Sequence, residues 1–450
     1  MSLRTSSLAA LAALALAPGA PLSLEPEEAK ALGGALTAVG AERAGNADGT
    51  IPPYTGGLTT PPAGFDPASG SRPDPFASER PLFSVDARNL DAHAARLTEG
   101  LKALMRRYPD FRIDVYPTHR TVAFPPFVTG NTVRLATSAR TANGGVSLVG
   151  VRAAYPFPIP KTGNEAMWND LVRFIGSCTR KRTFAYYVEG SGAVTLTSSA
   201  YMFEDYPYWD AKRAGENIYF RIRISYDGPP RQAGAALMLV DPVNYEDRGR
   251  RGWQYMPGQR RVRVAPDLSY DTPNAATRGA QTFDDALLFN GEMDRYDFAL
   301  VGKREMYVPY NAYRAVYQAS PERILKPHHL DPDLVRFELH RVWVVDARLK
   351  PGKRHIYSRR VIYLDEDSWA ALLSDQYDVR GQLYRVQEGH AMNYYNLPSL
   401  WTSLELTMDL SNGRYLALNL QSEEPHSYDF SIKRTPADYQ PGLLERRGIR

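Results

Sequence analysis

LVRFELHRVWVVDARLK, residues 334–350, alternates apolar and polar side chains, turns at Pro351-Gly352, and returns as RHIYSRRVIYLDE, residues 354–366. Successive side chains of a strand point to opposite faces, so this pattern predicts two antiparallel strands. One face of the outgoing arm holds Val335, Phe337, Leu339, Arg341, Trp343 and Val345; the other holds Arg336, Glu338, His340, Val342 and Val344. The first face is much the more apolar. It must be covered by helices, packed on another sheet, or left lining an apolar cavity, and the same choice arises for Leu237, Leu239, Val262 and Val264.

The same period runs on both sides of this pair. TFAYYVEG (183–190) and GAVTLTSSAYMF (192–203) read as strands joined at Gly190-Ser191-Gly192, and NIYFRIRISYDG (217–228) and QAGAALMLVDP (232–242) as the next two. RGWQYMPGQRRVRVAP (251–266) is a local hairpin around Met256-Pro257-Gly258-Gln259. Beyond the opening pair, 369–379, 381–396, Trp401–Met408 and Tyr415–Leu420 continue the series, with Asn412-Gly413 as a tight-turn signal. Hairpins follow one another with few crossover helices, which predicts a mainly β fold with accessory helices, built on a large antiparallel sheet.

Helical spacing is confined to short stretches. Pro26 opens one in 21–40, with Leu24, Leu32 and Leu36 on one side. A second begins with Asp86 as cap and carries Leu90, Ala94, Leu97, Leu101 and Leu104 as far as Tyr108-Pro109. A third, 164–176, buries Met167, Leu171, Phe174 and Ile175, and FDDALLF (283–289) reads as one or two turns. Between the first two, residues 45–82 are rich in Gly and Pro; Tyr54, Phe65, Phe76 and Phe83 predict a wrap ordered against the surface. The expected organisation is a signal peptide at 1–20, N-terminal helices and wrap at 21–110, the sheet domain with inserted helices at 111–436, and a tail at 437–450.

Met1–Ala20 pairs Arg4 with an apolar run from Leu8 to Ala17 and then small residues, the layout of a cleaved secretory signal. The run is too short to span a bilayer, which predicts a periplasmic chain without a transmembrane segment once processed. A net charge of +4 on 450 residues, with Lys and Arg scattered among acids, gives no basic stripe for nucleic acid. The densest basic stretch, Arg248–Arg263, flanks the hairpin at 251–266 and reads as a solvated strand face. The lone Cys178 forms no internal disulfide and reads as a small buried hydrophobe.

No nucleotide-binding glycine loop, nucleophile elbow or HExxH zinc motif occurs. His328 and His329 are adjacent, so an extended chain directs them apart; His340 and His355 lie in the two arms of the opening pair and are placed to face each other. Asp365-Glu366-Asp367-Ser368 lacks calcium-loop spacing and reads as a solvated acidic turn. Asp284-Asp285 reads as the first turn of a helix, facing free backbone N–H groups. No catalytic residue, metal ligand or cofactor is assigned.

Several long stretches occur in one order: GNADGTIPPYTGGLT (45–59), SRPDPFASERPLFSV (71–85), VYPTHRT (115–121), PFPIPKTGNEAMWND (156–170), the run from Glu338 to Trp369, and YDVRGQLYRV (377–386). In these the chain resembles the exported bacterial family known as domain of unknown function 1329, over roughly residues 25–435. That family resembles the LolA/LolB-type outer-membrane lipoprotein carriers. The resemblance implies a curved, incomplete barrel whose concave side receives acyl chains, and an association with inner-membrane exporters of the resistance–nodulation–division (RND) class. The function so implied is non-enzymatic periplasmic binding or transport of a lipid or other hydrophobic molecule. Its alternatives are an adaptor or structural component of an RND exporter and an envelope-directed hydrolase. Candidate ligand-binding residues are Phe337, Leu339 and Trp343, then Tyr255 and Tyr384, with Arg341 for an anionic head group.

Overall fold

The computed structural model describes residues 24–67, 70–245, 249–266, 268–422 and 428–447. The proposed signal peptide lies outside the described residues. The strands are β1 (Phe83–Val85), β2 (Ile113–Tyr116), β3 (Arg140–Ala142), β4 (Ser147–Val149), β5 (Cys178–Val188), β6 (Val194–Asp205), β7 (Phe220–Gly228), β8 (Ala236–Asp241), β9 (Arg251–Met256) and β10 (Arg261–Val264). They continue as β11 (Tyr296–Pro309), β12 (Phe337–Leu349), β13 (Arg359–Asp365), β14 (Ala371–Tyr377), β15 (Leu383–Asn393), β16 (Leu400–Asp409) and β17 (Arg414–Leu418). The three longest helices are α1 (Glu99–Arg107), α2 (Pro126–Leu135) and α3 (Gly163–Leu171).

All strands but β3 and β4 join one sheet. Its antiparallel run is β11-β12-β13-β14-β15-β16-β17-β5-β6-β7-β8-β9-β10. The hairpins read from sequence are present. One pairing is parallel: β2, itself paired to β1, takes the part of β12 that β13 leaves free, opposite Phe337–Glu338. Neighbouring strands rotate by roughly 20–25° each, so a run this long curls strongly. It does not close, and β11 and β10 are its edges.

The order of strands fixes what must lie on the sheet. After β1 and β2, the chain lays down the antiparallel run from its middle at β5, reaches one edge at β10, resumes at the opposite edge with β11, and returns by hairpins to β17 beside β5. Residues 268–295 therefore cross the inner face from one half of the sheet to the other. The turn at Ala275–Thr277 lies on β5 and β6, and the turn at Ala286–Leu288 lies on β14, β15 and β16. At the seam, β17 meets β5 through Tyr415–Val188, Leu416–Tyr187, Ala417–Tyr186 and Leu418–Ala185.

The predicted helix from Asp86 to Tyr108 breaks in two. Leu97 is extended, and the Thr98 hydroxyl accepts from the Leu101 N–H, so Thr98 caps α1 and the apolar spacing restarts there. Asp86 instead accepts from the Arg88 N–H at 2.8 Å, in a turn. α1 packs on the outer face of β14 and β15, where the Gly100 N–H donates to Asp375 at 3.0 Å. Its neighbour Gln376 points inward and donates to Asp285 at 3.0 Å. The helix at Pro26 is only four residues long, Pro26–Ala29. α3 carries a Thr162–Glu165 capping box and is buried on every side. It lies so close to β11 that a Cβ on Gly163 would sit 2.5 Å from the Phe298 carbonyl oxygen.

The described residues of this stretch pack on the protein: Tyr54 donates to the Val122 carbonyl, Phe65 meets Tyr395 edge-on, Phe76 stacks on His119, and Phe83 stacks on His93. Asp284 and Asp285 do not face free N–H groups at the start of a helix. They lie against the inner face of β13, where buried Arg360 donates to both, at 2.9 and 3.2 Å, and His355 contacts Asp284 at 3.0 Å. Burial alone would raise the Asp284 carboxyl, yet Arg360 and His355 beside it hold it far below the usual range.

Removing one partner of a buried ion cluster leaves uncompensated charge. Arg360→Ala should lower unfolding free energy by roughly 3–5 kcal/mol, read from urea denaturation, because two buried carboxylates lose their shared cation.

Candidate functional site

The outward hairpins β5 to β8 and the crossing segment enclose an apolar cavity. Alternation in β7 sends Phe220, Ile222 and Ile224 inward, while Arg221 and Arg223 point outward to Tyr439 and Phe203, 4.9 and 4.5 Å from the ring centres. Met202 of β6, Tyr226 of β7, and Leu237 and Leu239 of β8 complete the inner wall. The crossing segment supplies the roof with Ala276, Phe283 and Leu287. The space left between them is about 110 Å³. The roof was thus laid over an apolar wall without filling it.

Polar groups sit around this wall. Lys181 of β5 is buried and 2.8 Å from Glu204 of β6, which offsets the burial that would otherwise depress its ammonium. Arg250 is held by Asp241 at 2.7 and 3.0 Å and by Asn290 of the roof. Glu405 of β16 accepts the Leu287 N–H at 2.8 Å. Burial pushes the Glu405 carboxyl up to about 7, against the pull of Lys181. Leu287 and Leu288 both have left-handed backbones, φ 56° and 69°. Such a conformation strains a non-glycine residue by roughly 1–3 kcal/mol and needs surroundings that enforce it. Neither histidine nor cysteine is among the described residues that line the cavity; its ionisable groups are Lys181, Glu204, Arg250 and Glu405.

The candidate residues read from sequence are not gathered around one cavity. Phe337 and Leu339 are buried in the main core, Phe337 edge-on to His390. Trp343 stacks on Trp369 with Lys303 over its ring. Arg341 donates to the Ala44 carbonyl at 3.0 Å and to Glu366 at 3.3 Å. Tyr255 belongs to a small cluster with Ala236, Met238, Tyr439 and Leu444. Tyr384 is half-buried in a surface recess beside Ala103, Arg107 and Leu410. Of the strand residues left open in the sequence, Leu237 and Leu239 line the cavity, whereas Val264 is exposed. Phe220, Ile222 and Ile224 were missed as a site, although their alternation with Arg221 and Arg223 was the available signal.

Two other expectations are corrected. Asp365-Glu366-Asp367-Ser368 is not a solvated turn: all four residues are at most 3% exposed. Arg120 grips Asp367 through two hydrogen bonds, and Lys303 and Arg341 pair with Glu366. His340 and His355 do not face each other. His340 contacts Glu338 at 3.1 Å, whereas His355 turns to Asp284. His328 and His329 are not on an extended chain, since His328 has φ 69°: His328 stacks on Tyr108, and His329 tilts toward the same ring and lies 3.4 Å from Asp110.

Residues 84–445 match the profile of the family described as "Protein of unknown function (DUF1329)". An uncharacterized protein of Pseudomonas aeruginosa is 42% identical over 446 residues, covering 98% of this chain and 97% of its own. Among solved structures, a domain from Vibrio parahaemolyticus described as an outer membrane lipoprotein-sorting protein gives a TM-score of 0.44 at 13% identity, over 63% of this chain and 97% of that one. A DUF1329 family protein from Desulfovibrio piger gives 0.42 at 15% identity, over 62% and 95%. A LolA superfamily protein from Nitrosomonas europaea gives 0.37 at 12% identity, over 62% and 98%.

The buried Glu405 carboxyl ties roof stability to pH. Its folded pKa, about 7, lies above the ordinary value of 4.5, so the folded chain keeps a proton that the unfolded chain releases. This contribution to stability is full below the ordinary value and is lost as pH rises through about 7. Glu405→Gln should therefore flatten the fall in stability between pH 5 and pH 8 and gain roughly 2 kcal/mol at pH 8, measured by urea denaturation at both values.

Proposed function

This chain belongs to the DUF1329 family, and from its cavity we propose that it binds a hydrophobic molecule, a lipid or an acyl chain, and carries it through the cell envelope without chemical change. The observation that carries this reading is the unfilled apolar wall of β6, β7 and β8 beneath a separate covering segment. Each Å² of apolar guest surface withdrawn from water contributes about 25 cal/mol, so a few methylenes suffice to favour occupancy. A long chain exceeds the present space, so uptake requires the roof to move. Two features favour that movement. Beyond its charged anchor the roof is bonded at few points, Leu287 to Glu405, Gln281 to Thr407 and Asn290 to Arg250, and it holds two strained residues whose release offsets part of the lost contacts.

The signal-like N terminus and the family resemblance support a periplasmic setting. An RND exporter or the outer membrane is the kind of acceptor such a carrier needs: the guest leaves when a lower-energy apolar environment is offered. The described residues contain no helix long and apolar enough to cross a membrane.

Extraction of the purified chain followed by mass spectrometry should recover apolar guests, and a fluorescent fatty acid should bind with a saturable signal. Leu239→Trp, which fills the cavity from its wall, should weaken that binding at least tenfold while circular dichroism stays unchanged. Phe337→Ala should lose about 3–5 kcal/mol of stability yet keep probe affinity, because Phe337 packs in the core away from the cavity. Absence of any guest or probe uptake by the folded wild type would overturn the proposal.

A further inference from the structure

The buried cluster at the end of β13 poses a charge problem that is separate from the apolar cavity. Most of its carboxylates have an arginine or lysine within ion-pair distance: Glu338 has Arg336, Glu366 has Lys303 and Arg341, and Asp367 has Arg120. Asp365 is fully buried and has none among the described residues. One of its oxygens, Oδ2, accepts from the Ser368 N–H at 3.0 Å, the Ser368 hydroxyl at 2.6 Å and the Tyr310 hydroxyl at 3.2 Å. The other, Oδ1, has no hydrogen-bond partner.

What faces Oδ1 is a second electron-pair donor. His340 Nε2 lies 3.1 Å from Glu338 Oε2. Glu338 is itself held by Arg336, by the Asn311 amide and by the His119 N–H. A carboxylate in that position accepts a proton-bearing nitrogen, and in the neutral imidazole with that tautomer Nδ1 keeps its lone pair. Nδ1 is 4.0 Å from Asp365 Oδ1. That distance is too long for a hydrogen bond. Two ligands of a tetrahedral zinc, each about 2.0–2.2 Å from the ion, stand roughly 3.4 Å apart, so the two atoms need to close by only about half an ångström to share one cation. Asp367 contributes a third oxygen, and the three ligand atoms lie within 4.8 Å of one another.

We propose that His340, Asp365 and Asp367 form a binding site for a divalent transition cation of the zinc type. An imidazole with two carboxylates suits such an ion better than calcium or magnesium, which take oxygen donors. The surroundings are those of a metal ligand. Glu338 orients the imidazole through its second nitrogen, and Ser368 and Tyr310 orient the Asp365 carboxylate. An entry path exists: a recess of about 440 Å³ between the N-terminal wrap and α2, lined by Val39, Tyr54, Phe124 and Val133, has Asp367 in its wall. Arg120 occupies one lone-pair direction on each Asp367 oxygen, and a carboxylate has about four. The cation would join β12 and the turn after β13 to the recess, so its role is to lock this end of the sheet.

The experiment uses the full chain after chelator treatment and dialysis, titrated with Zn²⁺ by calorimetry and with Co²⁺ by visible absorption. The expected result is one ion per chain, a Co²⁺ spectrum with nitrogen as well as oxygen ligation, and a raised thermal midpoint with Zn²⁺ but not Mg²⁺. Asp365→Asn and His340→Gln should each weaken Zn²⁺ at least a hundredfold, and Glu338→Gln, which touches no ion, by ten- to a hundredfold. The proposal fails if folded wild-type chain binds neither ion. It fails equally if the Co²⁺ spectrum reports oxygen ligands alone, or if the two ligand variants bind Zn²⁺ as wild type does, placing the ion on other histidines. A wild type that binds nothing, beside an Asp365→Asn chain of higher stability, would show that Asp365 carries a proton instead.

Discussion

The structure depends on one constraint of connectivity. A chain that begins its long antiparallel run in the middle, builds outward to one edge and resumes at the other must traverse the sheet's inner face. Residues 268–295 do this, and everything under them is decided by how they meet each half. No strand-to-strand pairing holds the segment down. It is fixed by side chains and single backbone bonds, which can differ in strength from place to place.

They differ sharply here. Over β13 and β14 the segment is anchored by charge: Asp284 and Asp285 share Arg360, and Gln376 and Tyr357 add hydrogen bonds to Asp285. In a low-dielectric interior such charge-assisted bonds are strong, so this end is held more firmly than apolar contact would hold it. Over β6, β7 and β8 the segment meets aliphatic and aromatic groups and leaves space between. Apolar contacts are non-directional and tolerate displacement. The same stretch of chain is thus pinned by charge at one side and, beside β8, tied through Asn290 to Arg250, with its apolar middle resting on the wall between, an arrangement that suits a hinged cover.

The hairpins were legible because their signals are local: period-two alternation, Pro351-Gly352, Asn412-Gly413 and Met256–Gln259 each act within a few residues. The apolar wall was half legible. FRIRI in β7 declares two unlike faces, but only the fold tells which face a distant loop covers. The acidic turn at Asp365–Ser368 was misread for a physical reason. Clustered carboxylates are stable in the interior only with cations beside them, and those cations, Arg120, Lys303 and Arg341, come from three remote segments. The helix break at Leu97 was visible in principle, since Thr98 and Leu101 stand at capping distance, yet the apolar spacing ran through it and masked the stop.

The seam between β17 and β5 has a consequence for biogenesis. Val188 pairs with Tyr415, so the first long strand of the sheet waits for the last. Until then both strands show unpaired backbone edges, and such edges recruit other chains. Contacts this distant form slowly. A polypeptide emerging N terminus first therefore passes through a stage in which the oily wall already has its cover but β5 keeps an open edge until the C-terminal strand arrives.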